Sequence, residues 1–193
     1  MRTVAVFCGS RSGISPAFHT AAATLGRGLA EAGIGVVYGG GQVGLMGVLA
    51  NAVLAAGGRI VGVIPEVLMR QEVVHRGLTG LIVTRDIASR KQRMFDLADA
   101  FITLPGGIGT LDETVEMLTW RQLGLHQKPV LICDIQGSAA PLVAAVETAV
   151  AQGFAAPSIL DYFEVFPAVA PLLDKLHMLQ RVPVTKRSSQ WTL

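Results

Sequence analysis

Charge is scarce in this chain. Of 193 residues only 16% are Asp, Glu, Lys or Arg, the net charge is +2, and the basic run that stands out is a short KRSS near the end. Proteins that grip nucleic acid by its phosphates carry a basic face, so nucleic acid is not expected as a partner. Cysteine is scarce as well. Cys8 and Cys133 fall inside apolar, strand-like runs and read as buried free thiols in a reducing compartment. Long apolar runs are missing: none approaches the roughly 20 residues that span a bilayer. The opening MRTVAVFCGS reaches a glycine too early for a signal peptide. No membrane partner and a cytoplasmic location are therefore expected. No His, Cys or acid pair has the spacing of a metal site, so neither metal nor cofactor is expected. A G-x-x-x-x-G-K-[ST] phosphate loop is also missing. Nothing resembling a linker divides the chain, which predicts one domain over residues 1–180 and a loose tail over 181–193.

Apolar material, by contrast, is abundant at 51%. It can fill a large core, and surplus apolar surface suits a homodimer. Seven short Val- and Ile-rich runs alternate with helical patterns: TVAVFCG, IGVVYGG, RIVGVIP, GLIVT, AFITLP, PVLICD and YFEVF. The helices are expected over Ser15–Ala32, Leu45–Ala56, Ala88–Ala98, Thr110–Leu123, Ala139–Gln152 and Pro167–Leu179. Strand-length runs that are apolar throughout predict strands buried on both faces. The alternation with helices then predicts an α/β fold, a doubly wound parallel sheet with helices on both faces.

Three of these runs share a plan of strand, glycine-rich turn and helix start. They are GIGVVYGGGQVGLMG, DAFITLPGGIGTLDE and, more weakly, VFCGSRSGISP. In a parallel sheet all three turns fall at the carboxyl edge, where ligands bind. Glycine lets a backbone approach a phosphate, and a helix N-terminus attracts one. The G-x-G-x-x-G match at Gly39–Gly44 also admits a dinucleotide site, but it follows the second strand instead of the first. Tight turning alone would explain any one of the three.

Thr110 is expected as an N-cap or first-turn donor, with Asp112 and Glu113 in the first turn. Capping explains such acids in an ordinary helix. The alternative is chemical: a carboxylate above a bound phosphosugar stabilises charge developing on the ribose as its C–N bond breaks, or orients the attacking water. Glu113 and Glu116 share a helix face. Arg90, Lys91 and Arg93 form a basic cluster, read either as a solvated face or as one or two groups reaching over the same pocket. His75 lies in a long stretch between strands, where a lid or a substrate loop is expected.

PGGIGTLDE, GGGQVGLMG and SRKQRM together resemble the Lonely Guy family, the cytokinin riboside 5′-monophosphate phosphoribohydrolases, over most of the chain. The resemblance implies a Rossmann-like fold, a homodimer, and hydrolysis of the N-glycosidic bond of an N6-modified AMP. Arg90 and Glu113 would be the catalytic pair. Gly106, Gly107, Gly109 and Thr110 would hold phosphate and ribose, helped by Gly39, Gly40 and Gly41, with Ser10, Lys91 and Met94 completing the substrate contacts. Many members carry Met-His where this chain has Ile87 and Ala88, a change that bears on base preference. The competing reading is a non-catalytic nucleotide or molybdenum-cofactor carrier on the same fold, which needs no carboxylate beside the ribose. A dinucleotide oxidoreductase is disfavoured by the fingerprint's position, and lysine decarboxylation by the lack of a pyridoxal-phosphate lysine context.

Overall fold

The computed structural model describes residues 1–69 and 74–181. The tail expected over 181–193 lies outside the described residues from 182 onward. In chain order the elements are β1 (Thr3–Phe7), α1 (Pro16–Glu31), β2 (Gly35–Tyr38), α2 (Gly44–Ala55), β3 (Ile60–Pro65), α3 (Glu66–Met69), β4 (Gly80–Thr84), α4 (Ile87–Leu97), β5 (Ala100–Thr103), α5 (Ile108–Gln122), β6 (Val130–Cys133), α6 (Ala140–Ala151), β7 (Glu164–Phe166) and α7 (Val169–Arg181). A 3₁₀ turn, Pro157–Tyr162, precedes β7.

The strands form one sheet in the order β4-β3-β2-β1-β5-β6-β7, with every pairing parallel. β1, β2, β5 and β6 are buried on both faces, apart from Thr3 at the start of β1, which is why their sequences run apolar without alternation. β4 departs from that expectation. As an edge strand it is partly open, with Leu81 and Val83 exposed.

Two apolar layers hold the helices to the sheet. Leu25 and Leu29 of α1, Leu49 and Val53 of α2, and Leu172 and Leu176 of α7 pack with Val4, Val6, Val36 and Ile102 on one face. Met94 of α4 with Met117 and Leu118 of α5 packs against Ala5, Phe7, Val37 and Phe101 on the other. This is the doubly wound arrangement. The helix starts follow from the sequence. Ser15 accepts the Ala17 N–H at 3.2 Å with Pro16 behind it, and Asp86 accepts the Ser89 N–H at 2.7 Å.

The chain builds leftward from β1 through β2 and β3 to β4, then returns to the other side of β1 with β5. The reversal places the carboxyl ends of β1 and β5 at the switch point, with that of β2 beside them.

Candidate active site

Because β2, β1 and β5 are neighbours, their three glycine-rich turns meet at one edge of the sheet. The Gly9 N–H donates to the Pro105 carbonyl at 3.1 Å, and the Met46 N–H donates to the Gly9 carbonyl at 3.2 Å. Gly44 holds φ +64°, and a side chain there would collide with the backbone of Ser10 and Arg11. The buried Tyr38 hydroxyl donates to the Gly41 carbonyl at 3.1 Å and braces the β2 turn.

α5 starts earlier than expected. Its N-cap is Gly107, with no side-chain cap bond, and Thr110 is the third helical residue instead of the cap. No acid lies in the first turn, so Asp112 and Glu113 belong to the second and capping does not account for them. The Thr114 hydroxyl donates to the Thr110 carbonyl at 2.7 Å and sits 2.8 Å from the Thr103 hydroxyl, which pins α5 to β5.

Glu113 projects from this pinned helix onto Arg90 of α4. Nη1 of Arg90 lies 2.9 Å from Oε1 of Glu113, and the two side chains are only 15% and 10% exposed. Arg90 Nε donates to the Val63 carbonyl within β3, at 3.0 Å. Its other nitrogen lies against Gly39: a Cβ at that position would stand 2.5 Å from Nη2 and 2.9 Å from the Met46 sulfur. One guanidinium thus ties β3 to α5 and packs beside the end of β2. Burial pushes the Glu113 carboxyl above the ordinary glutamate range, and Arg90 opposes this without cancelling it. The next residue, Lys91, reaches Asp112 and Glu116, each at 3.1 Å.

The pair lies in a cleft of about 320 Å³ lined by Ser10, Gly39, Lys91, Gly107, Gly109 and Thr110, with apolar groups from Met46, Leu68, Ile87 and Ile108. Gly107 and Gly109 face open space, with nothing within 4 Å of where a Cβ would stand. Backbone and helix N-terminus are therefore accessible there to an anion. Ser10 and Gly107 also line a neighbouring cavity of about 500 Å³, together with Arg11, Ser12, Phe18 and Ser138. Among the described residues the larger space is lined by no acid–base pair, whereas the smaller one holds Arg90 and Glu113.

Several expected residues play other parts. Met94 is 1% exposed and packed in the core layer under α4, away from the cleft. Gly40, at φ +84°, is occupied with turning the chain against Gly62 and Ile64, and Gly41 makes room for the Met46 methyl. Gly106 packs against Thr110 and the Gly9 backbone and lines the larger cavity. Arg93 is exposed and does not line the cleft. His75 is bound in place, its ring 3.0 Å from Asn51 and accepting the Gly77 N–H, while residues 70–73 of the expected lid lie outside the described residues. Cys8 lines the cleft, but burial and then Glu113 push its thiol pKa upward, so it is no nucleophile. Met46 is the residue the sequence pattern missed. It stands in the GLMG that opens α2, where the glycines carried the signal.

Fold and site define a Rossmann-like α/β protein with an open, glycine-flanked helix N-terminus and a buried arginine–glutamate pair at its switch point. A family model described as possible lysine decarboxylase matches residues 46–176. A cytokinin riboside 5′-monophosphate phosphoribohydrolase of Rhodococcoides fascians is 46% identical over 158 residues, 81% of this chain and 80% of that protein. The phosphoribohydrolase LOG7 of Arabidopsis thaliana is 44% identical over 156 residues, 81% of this chain and 72% of that protein. Among solved structures, the molybdenum cofactor carrier protein MCP from Chlamydomonas reinhardtii superposes with a TM-score of 0.70 at 19% identity, covering 93% of this chain and 98% of that one; the likeness is one of fold. The chain belongs to the Lonely Guy family of cytokinin riboside 5′-monophosphate phosphoribohydrolases.

Proposed function

We propose that the cleft hydrolyses the N-glycosidic bond of a nucleoside 5′-monophosphate whose adenine is modified at N6, releasing the free base and ribose 5-phosphate. The observation that carries this is the buried Arg90–Glu113 pair beside the open N-terminus of α5. The activity printed for the relatives names the same reaction class. Phosphate settles at Gly107, Gly109 and Thr110, which holds the ribose near Glu113. The C1′–N9 bond breaks with its electron pair leaving on the base. The Glu113 carboxylate stabilises the cationic ribose, and Arg90 holds that carboxylate in place. Water then adds its hydroxyl to C1′, and its proton ends on the base. Leu68, Ile87 and Ile108 give the N6 substituent apolar surface, and Ile87 marks the departure from the family's Met-His. The enzyme works without cofactor or metal, in the cytoplasm, as a homodimer.

The test is to incubate the protein with AMP, N6-isopentenyl-AMP and their ribosides and measure released base. Monophosphates should be cleaved far faster than ribosides, because phosphate supplies positioning energy. Glu113→Gln should lose two or more orders of magnitude in kcat, about 3 kcal/mol, while ligand binding survives. Glu113→Gln turning over at the wild-type rate would leave a nucleotide carrier as the better account.

A further inference from the structure

We propose that Lys91 is a positioning residue: its ammonium fastens α4 to two acids of α5 and thereby sets the seating and the charge of Glu113, instead of holding substrate phosphate. The inference rests on the phosphoribohydrolase reading for its kinetic arm only.

Lys91 Nζ stands 3.1 Å from Oδ2 of Asp112 and 3.1 Å from Oε2 of Glu116, and its side chain is 15% exposed. Asp112 and Glu116 are one helical turn apart, so a single ammonium bridges a full turn of α5. Arg90 grips Glu113 from the adjacent α4 position. Two consecutive residues of one helix therefore hold three acids of the other. Oε2 of Glu116 is buried and finds no partner of good hydrogen-bond geometry among the described residues, so the Lys91 ammonium 3.1 Å away is what compensates its charge. A phosphate approaching Lys91 meets one cation already shared by two carboxylates, a cluster of net negative charge. That disfavours the phosphate-holding role. Burial opposes the charge on Lys91, but the two acids outweigh it and hold its pKa above the usual lysine value.

Among the described residues, the charged and titratable groups around Glu113 are Arg90 and Lys91 from α4, Asp112 on its own helix and the Cys8 thiol just past the end of β1. Arg90 and Lys91 favour the ionised carboxylate, whereas Asp112 disfavours it. Lys91 neutralises Asp112 by direct contact, so it acts on Glu113 both by its own charge and by masking its neighbour's.

The experiment follows the Glu113 carboxyl by NMR of protein carrying ¹³C-labelled glutamate, with Glu113→Gln identifying the signal. The pH profile of kcat/KM on N6-isopentenyl-AMP is measured beside it. Lys91→Met should raise the Glu113 midpoint by about one pH unit and carry the acid limb of the profile upward with it. Lys91→Arg should restore both, and adding Asp112→Asn to Lys91→Met should bring the midpoint back down. Asp112→Asn alone should lower the midpoint, which keeps the inference testable if Lys91→Met does not fold. A raised KM for AMP with midpoint and acid limb unmoved would overturn the inference in favour of a phosphate ligand. Wild-type protein that releases no base at any pH refutes the activity, and the NMR midpoints still decide the role of Lys91.

Discussion

Two glycines of the cleft are absent side chains for opposite reasons. At Gly39 the missing methyl is filled by the Arg90 guanidinium and the Met46 sulfur. Gly39→Ala should displace the guanidinium and lower kcat by at least tenfold while thermal unfolding shows a folded protein. At Gly107 the space is empty. Gly107→Ala should leave the melting temperature nearly unchanged and raise KM for the monophosphate, since the methyl occupies the approach of the ligand. Steady-state kinetics beside thermal unfolding separates the two, and equal KM effects would merge their roles. The thiols make a second residue-scale case. Cys133 is buried, and burial followed by Asp134 pushes its pKa up to about 12; Cys8 is shifted in the same direction by burial and Glu113. Neither should react with a thiol reagent at neutral pH until the protein unfolds. Rapid labelling of the native protein, read by mass spectrometry, would contradict the packing of β1 or β6.

α4 carries Arg90, one of the proposed catalytic pair, so what starts this helix matters to the candidate site. Its cap is Asp86, whose carboxyl is held at about 2 by the Ser89 side-chain and backbone donors and then by Arg85, against an ordinary 3.8. A depressed acid lends stability in its ionised form. That contribution is complete above the ordinary value and is lost as the pH falls through the folded one. The melting temperature should therefore drop between about pH 4 and pH 2. Asp86→Asn keeps a capping oxygen but should flatten this part of the profile, and Asp86→Ala should lower the melting temperature at neutral pH by a few degrees. The elements themselves were legible, because buried parallel strands and capped helices advertise themselves by composition. What escaped were features set by contact. Successive glycines concealed that Gly107 is extended and that α5 already begins at Ile108. The family resemblance of SRKQRM implies a place for Met94 at the cleft, and Met94 stands one turn beyond Arg90. α4 descends along the sheet, however, and one turn carries the side chain from cleft to core. The ion pairs of Lys91 needed the packing of α4 on α5, which no spacing within either helix reveals.

At the scale of the molecule, the exposed apolar surface that suits a dimer interface includes one side of α5, and Met117 and Trp120 of that helix lie on its inner side. Met117 is buried, and Trp120 packs edge-on against Phe95 at 4.9 Å between ring centroids. The outward stripe of α5 is Ile108, Leu111 and Val115, with Ile108 82% exposed. Light scattering at micromolar concentration should give twice the 20.3 kDa chain mass, and Val115→Asp should shift it to monomer with circular dichroism unchanged. Wild-type protein at the chain mass would refute the dimer.

The strand order has a consequence for the order in which the molecule comes into being. β1 is flanked by β2 and β5, and the Arg2 N–H donates to Asp99, 97 residues away, at 2.6 Å. During synthesis the first strand leaves the ribosome early and waits with one edge open while nearly a hundred residues follow it. The walls of the cleft near residues 10 and 39 stand unfinished until α5 has emerged and β5 has closed beside them. Contacts of such long sequence separation form late in folding. The Arg90–Glu113 pair is therefore incomplete until α5 has emerged, and no shorter nascent length can recognise a nucleotide through it.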